Sequence, residues 1–538
     1  MRLPLKKYPF TLFVRVLFSQ KGSYNKLMKS KVYQNTSIVT GLSVAERGLG
    51  FLYRIVLSRL IGAEGLGLYQ VSLSLFSLFL TIGTGGIPVT VSRMISKSKA
   101  EKNLQGERAA VGAGVVLSLL LTLPVCLLFW LLGSRADFLF SDARCLPVFR
   151  ILLIGLSFTC IYAVIRGFFW GNKEFLAPSI IELLEEAAMV IAGVLLLRNV
   201  QTASVGAEKA AWAVVLSYLF SFALSTLWFF LRGGKISSPK NSLKPLFNAS
   251  LPITSVRASA SLVNSAIAVL LPAMLIRSGF SEGDALRLFG VVSGMVLPVL
   301  FIPSTLIGSL ALVLVPELAE DFYCNRLTRL RANLERGLRF SVFVACALIP
   351  LFFVLGNDLG NIAFSNAEAG EMIKKSCVIL LPMSITMITT SMLNSMGFEK
   401  QTFLFFFISA ATTLLCILLL PKFCGGYAYI IGLGASYVVG AVCNLVLLWK
   451  NKLIFQKTQG QVCVKDYFIP LAAVLPLSLV GQLIHSLCGH IFGESVCALV
   501  CGFCLILLTL LLYALTGILP IKTLFKKEKM SRQEKAAN

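Results

Sequence analysis

Five arginines, Arg47, Arg54, Arg59, Arg150 and Arg257, fall where hydrocarbon is expected. Arg47, Arg54 and Arg257 lie inside apolar runs long enough to cross a bilayer, and a guanidinium there is costly unless it is paired or functional. Arg47 comes about 13 residues into a run that starts near Gln34. At about 1.5 Å per residue that is roughly 20 Å deep, near the middle of the membrane. Ser43, Arg47, Gly50 and Arg54 share one stripe, because seven residues make nearly two helical turns. Two uses of Arg47 are open. One is an ion pair with Glu46 or with a glutamate of the fifth run. The other is a cationic site for a diphosphate or a sugar carboxylate, whose oxygens match the guanidinium fork. Arg59, on another face near the outer end, is expected to snorkel to the interface.

Glu182, Glu185 and Glu186 cluster in the inner half of the fifth run. Three close carboxylates are not comfortably ionised together in low dielectric, so H+ or Na+ coupling is one reading and pairing with Arg166 or Lys173 is the other. Polar stripes add to the pattern. The second run offers Gln70, Ser74, Ser77, Thr81 and Thr84, and the seventh offers Ser250, Thr254, Arg257, Ser261 and Asn264, all at steps of three or four. Each stripe alone fits helix–helix hydrogen bonding; together, with two arginine-bearing helices, they point to a water-filled cavity lined by Arg47, Arg54, Arg257, Gln70, Ser74, Thr81 and Asn264. His485 and His490 are expected at the interface. Cys497, Cys501 and Cys504 are expected to pack rather than to bind metal.

Other chemistry lacks a footing. No phosphate-binding G-x-x-x-x-G-K-[ST], no H-E-x-x-H and no G-x-S-x-G occurs, so no catalytic residue, cofactor or metal is assigned and the chain reads as a carrier rather than an enzyme. Outer loops are short, which disfavours a membrane glycosyl polymerase.

The elements that must position these residues are membrane helices. Of 538 residues 57% are hydrophobic and 14% charged, and the mean hydropathy is +0.82, a composition foreign to soluble domains. Apolar runs occur at about 34–60, 66–91, 109–132, 146–169, 175–197, 210–231, 247–276, 286–315, 340–356, 372–396, 402–421, 427–449, 467–489 and 495–519. They predict an all-α membrane protein with about fourteen transmembrane helices. Most of the 49 Lys and Arg residues fall in the N-terminal segment, the tail and the loops on one side, which predicts that both termini are cytoplasmic. The net charge of +24 then reflects topology and attraction to anionic membrane lipid, not nucleic acid.

A repeat is visible. Gly85-Gly86-Ile87-Pro88 ends the second run and Val315-Pro316 ends the eighth, while the turn Gly171 to Phe175 has a counterpart at Gly397 to Gln401. The common offset suggests two parallel six-helix units. The domains expected are 1–31, a basic cytoplasmic segment; 32–231, an N-lobe of six helices; 232–246, a linker; 247–449, a C-lobe of six; 450–519, two appended helices; and 520–538, a basic cytoplasmic tail.

The stretch Glu46 to Gly62, followed by Glu64 to Gln70, resembles the first helix and turn of the sporulation-type polysaccharide transporters of the multidrug/oligosaccharidyl-lipid/polysaccharide exporter superfamily. Gly85 to Val89, Arg166 to Gly171 and Ala177-Pro178 continue the likeness. The resemblance implies two lobes in a V around a central cavity, lined mainly by helices one, two, seven and eight. It implies a flippase for an undecaprenyl-diphosphate-linked saccharide, such as a peptidoglycan precursor for spore cortex or cell wall, working by alternating access. It also implies that Glu186 matters most among the three glutamates. Arg47 matches a family arginine, whereas the next one falls at Tyr53 and the cation here is Arg54. A drug/cation antiporter of the same superfamily is the rival reading. Because the likeness begins just after Met28, residues 1–27 are expected to be dispensable.

Overall fold

The computed structural model describes residues 31–239, 241–454, 465–490 and 493–516. The basic N-terminal segment up to residue 30 and the basic tail lie outside the described residues, as does the loop at 455–464. All regular structure among the described residues is helical, as backbone groups without water require.

Helix α1 (Lys31–Thr84) has two limbs that meet at Gly62, whose φ of 69° and ψ of −179° are open to glycine and strained for other residues. The second limb breaks at Gly85-Gly86, and α2 (Ile87–Ala100) resumes with proline in its first turn, where a missing N–H costs nothing. There follow α3 (Leu104–Leu132), α4 (Cys145–Gly171), α5 (Leu176–Leu196) and α6 (Ala203–Leu231). Asn103 caps α3 by accepting from the Gly106 amide at 2.9 Å, and Thr202 caps α6.

Helix α7 (Leu243–Arg277) leads to a crossing in pieces: α8 (Glu282–Gly290), a π stretch (Val291–Val296), α9 (Leu297–Leu300) and α10 (Ile302–Tyr323). The wide turn directly precedes Pro298, which removes a helical donor. The rest comprises α11 (Leu327–Phe364), α12 (Ala367–Ser376), α13 (Leu380–Ser395), α14 (Glu399–Leu419), α15 (Pro421–Cys424), α16 (Tyr427–Lys450), α17 (Lys465–Gly489) and α18 (Glu494–Leu515).

Among the described residues 13 helices are long and apolar enough to span a membrane. One of these, Ile38–Ala100, holds two crossings, while Glu282–Leu300 and Ile302–Tyr323 are halves of one. The three glutamates of α5 keep it outside that count although it packs among the others. Among the described residues the candidate crossings therefore number fourteen.

Helices α3 to α6 pack on one another and on α1. A second group forms where α10, α11 and α13 pack together and α16 packs on α13 and α14. The hairpin α17–α18 leans on α11, where Cys497 and Cys501 are buried. Each group carries an ion pair between its second and fourth crossings, Arg144 to Glu64 at 2.7 Å and Arg287 to Glu368 at 2.5 Å. The interval from Asp142, which also holds Arg144, to Glu368 matches the offset of the sequence repeat.

The groups meet chiefly through α1, which packs against α7, α8 and the π stretch. At Gly67 and Gly290 the backbones come so close that a Cβ on either would run into the Leu286 or the Ala63 carbonyl. Gly48, by contrast, has open space around it. Gly67→Ala should lower stability by about 1–3 kcal/mol through overpacking, read as a lower melting temperature in detergent, while Gly48→Ala should leave it unchanged.

Candidate functional site

The first limb of α1 sorts its charges by face. Glu46, Gly50, Tyr53 and Leu57, at helical steps of four, three and four, turn into the N-terminal group, where Tyr53 is 3% and Leu57 1% exposed. Arg47 and Arg54 lie on the other face; Arg47 is exposed and Arg54 half-buried. Neither they nor Arg257 form a hydrogen bond or ion pair among the described residues. The pairing of Arg47 with Glu46 or with a glutamate of α5 is therefore not what the structure contains. Tyr53 packs so tightly on Gly193 that a Cβ there would strike its ring. A cation at position 53 would be buried among apolar groups, and at position 54 it is rotated out by about 100°.

The polar stripes of the second limb and of α7 face each other. Ser77 Oγ lies 3.4 Å and Thr81 Oγ1 3.3 Å from Ser261 Oγ, Ser265 donates to the Ser74 carbonyl at 2.6 Å, and the Gly86 amide donates to Thr254 Oγ1 at 3.0 Å. Gln70 is buried, at 8% exposure. Ser74 and Thr81 thus join a seam between helices, the arrangement that bundles in lipid commonly use. Arg257 and Asn264 flank the seam and are exposed. Of the residues read as cavity lining, Arg47, Arg257 and Asn264 are exposed and Arg54 is half-buried, whereas Ser74 and Thr81 lie on the seam.

The three glutamates of α5 come together with two residues from elsewhere. Glu46, Arg166, Glu182, Glu185 and Glu186 line a cavity of about 220 Å³ together with Tyr162 and Tyr218. Arg166 Nη1 binds Glu182 Oε1 at 2.7 Å, and its guanidinium sits 5.0 Å from the Trp170 ring centre and 5.8 Å from that of Tyr162. Glu185 Oε2 is buried without a partner. Glu186 presses on α1 where Gly50 lacks a side chain, since a Cβ would lie 2.7 Å from Glu186 Oε1.

Four carboxylates thus share one guanidinium. No three of them converge closely enough to hold a metal ion among the described residues. Glu46 was the member missed in sequence. Its signal was its spacing to Gly50 and Tyr53, which points it away from Arg47. His485 of α17 binds Asp358 of α11 at 2.7 Å.

Comparison with known proteins agrees with this architecture. Residues 32–322 match the family described as polysaccharide biosynthesis protein. Stage V sporulation protein B of Bacillus subtilis (strain 168) is 24% identical over 366 residues, covering 65% of this chain and 70% of that protein. Lipid II flippase MurJ of the same organism is 22% identical over 343 residues, covering 59% of this chain and 63% of that one. Among solved structures, lipid II flippase MurJ in an inward closed conformation superposes with a TM-score of 0.64 at 13% identity, covering 89% of this chain and 99% of that one. An inward-facing multidrug resistance MATE family transporter of the MOP superfamily gives 0.61 at 15% identity, covering 77% and 98%. The last two share the fold. With more than half its length inside the family match, the chain belongs to the polysaccharide biosynthesis protein family.

Proposed function

We propose that this transporter is a flippase for an undecaprenyl-diphosphate-linked saccharide, a peptidoglycan precursor of the lipid II type used in spore cortex or cell wall. The two lobes work by alternating access, with both termini in the cytoplasm. One observation carries the reading: Arg47, Arg54 and Arg257 hold cationic charge within apolar helices and form no hydrogen bond or ion pair among the described residues. Guanidinium groups in low dielectric favour a bound polyanion, and a diphosphate supplies paired oxygens for their forks. The polyprenyl tail would stay in lipid while the head group crosses. The names of two relatives, stage V sporulation protein B and lipid II flippase, support the substrate class.

The drug/cation antiporter reading draws on the acidic cavity. At about 220 Å³ that cavity is smaller than the ~300–1,000 Å³ typical of drug-sized ligands. It suits a proton-coupling role beside an anionic substrate instead, with Glu46, Glu185 and Glu186 sharing protons and Arg166 holding Glu182. Na+ is the other ion weighed, and the absence of a converging ligand set among the described residues favours H+.

Two outcomes are expected. Arg47→Ala, Arg54→Ala and Arg257→Ala should each weaken binding of purified protein to a lipid-linked saccharide by ten-fold or more, since a charge-assisted contact contributes about 1.5–3 kcal/mol. Complementation of a flippase-deficient strain should fail at normal membrane abundance; unchanged binding in all three would remove them from the site. In proteoliposomes Glu186→Gln should abolish the response of transport to an imposed pH gradient while saccharide binding persists. Glu182→Ala should instead reduce abundance by stranding Arg166, and Arg166→Leu combined with Glu182→Leu should restore it. A pH response left intact in Glu186→Gln would take the acidic cavity out of coupling.

A further inference from the structure

The end of α11 has two backbone acceptors that its own chain leaves free. Ser365 adopts a left-handed conformation and closes the helix, its amide bonding the Asn361 carbonyl while the Asn366 amide bonds that of Gly360. The next carbonyls, Ile362 and Ala363, lack helical donors because the chain has turned away. Arg59, three residues before the Gly62 break in α1, supplies both: Nε donates to Ala363 O at 2.9 Å and Nη2 donates to Ile362 O. A cation at a helix C-terminus also meets the negative end of the helix dipole. Arg59 therefore does not simply snorkel; it ties the N-terminal group to the C-terminal group on the Gly62 side, which the charge bias places outside.

Other contacts across that side differ in kind. The Gly67 and Gly290 backbones pack without side chains, and Ser141 Oγ donates to the Val269 carbonyl at 2.9 Å. Among these contacts Arg59 is exposed and carries formal charge. An exposed guanidinium passes between carbonyls and water at little net cost, which suits a contact that must break and re-form in every cycle. Its anchorage is firm: α11 packs against α12 there, and Asp358, one turn earlier, is held by His485 of α17.

We propose that Arg59 is the latch of the outer gate. Its two bonds to the end of α11 hold the lobes together in the conformation described, and their release permits the outward-open state. The proposal rests on the chain being an alternating-access carrier and not on the identity of its substrate. The measurement below needs no substrate, so its failure and that of the arginine site are separable.

Spin labels at Leu60→Cys, whose native residue is 40% exposed on α1, and at Ala367→Cys, exposed at the start of α12, would report the width of the gate in a cysteine-reduced background. With Arg59 intact the distance distribution should be dominated by one short component. Arg59→Ala should add a longer component at unchanged abundance, and Arg59→Lys, which keeps the charge but loses the fork, should fall between. If Arg59→Ala fails to accumulate, Arg59→Gln is measured against the same expectation. A distribution indistinguishable from that of the parent, in whichever of these neutral variants accumulates, would overturn the latch.

Discussion

A charge inside hydrocarbon must find a counter-charge, a donor set or water, and α1 has to solve that problem for Glu46 and Arg47 at adjacent positions. The helix solves it by rotation. One residue is about 100° of turn, enough to send the carboxylate into the N-terminal group and the guanidinium to the surface between the groups. Everything polar nearby follows from that division. The acidic cavity collects Glu46 with the α5 glutamates and Arg166, while Arg47 and Arg54 lie about a quarter-turn round the helix from it. The fold keeps two oppositely charged compartments within one helix diameter of each other.

The compartments are not mechanically independent. Glu186 rests against Gly50, one turn from Arg54, and the charges of Glu186 and Arg54 act on each other. A change in the charge of the cavity is thus felt by the same helix that presents the arginines. Glycine at position 50 is what lets the carboxylate come this near. The joint between an ion and a substrate can be as small as one missing side chain.

Composition and hydropathy made the crossings, their number and the all-helical class legible, because membrane thickness dictates the length of each run. The Gly85-Gly86-Ile87-Pro88 break was equally readable, since glycine and proline act through their own backbones. The partners of the polar stripes were not. Periodicity tells which residues share a face but not which helix meets that face, so Ser74 and Thr81 read as cavity lining when Ser265 and Ser261 occupy them. The offset of Arg54 from the family position also needed the structure, because only the contact of Tyr53 with Gly193 shows that position 53 points inward. Arg59 was hidden for the same reason: free carbonyls at the end of α11 leave no trace in residue type. In the α5 cluster the sequence supplied the carboxylates and left pairing open, and Arg166 takes only Glu182.

The seam between α1 and α7 has a further consequence. Its four polar contacts are of a kind that contributes about 0.6 kcal/mol each in membrane bundles, or roughly 2 kcal/mol in all. Driving a two-state protein from one side of its equilibrium to the other takes about 5.5 kcal/mol of differential binding. The seam therefore behaves as a detent rather than a weld: firm enough to define a resting position against thermal jostling, and shallower than the differential binding that such a shift requires.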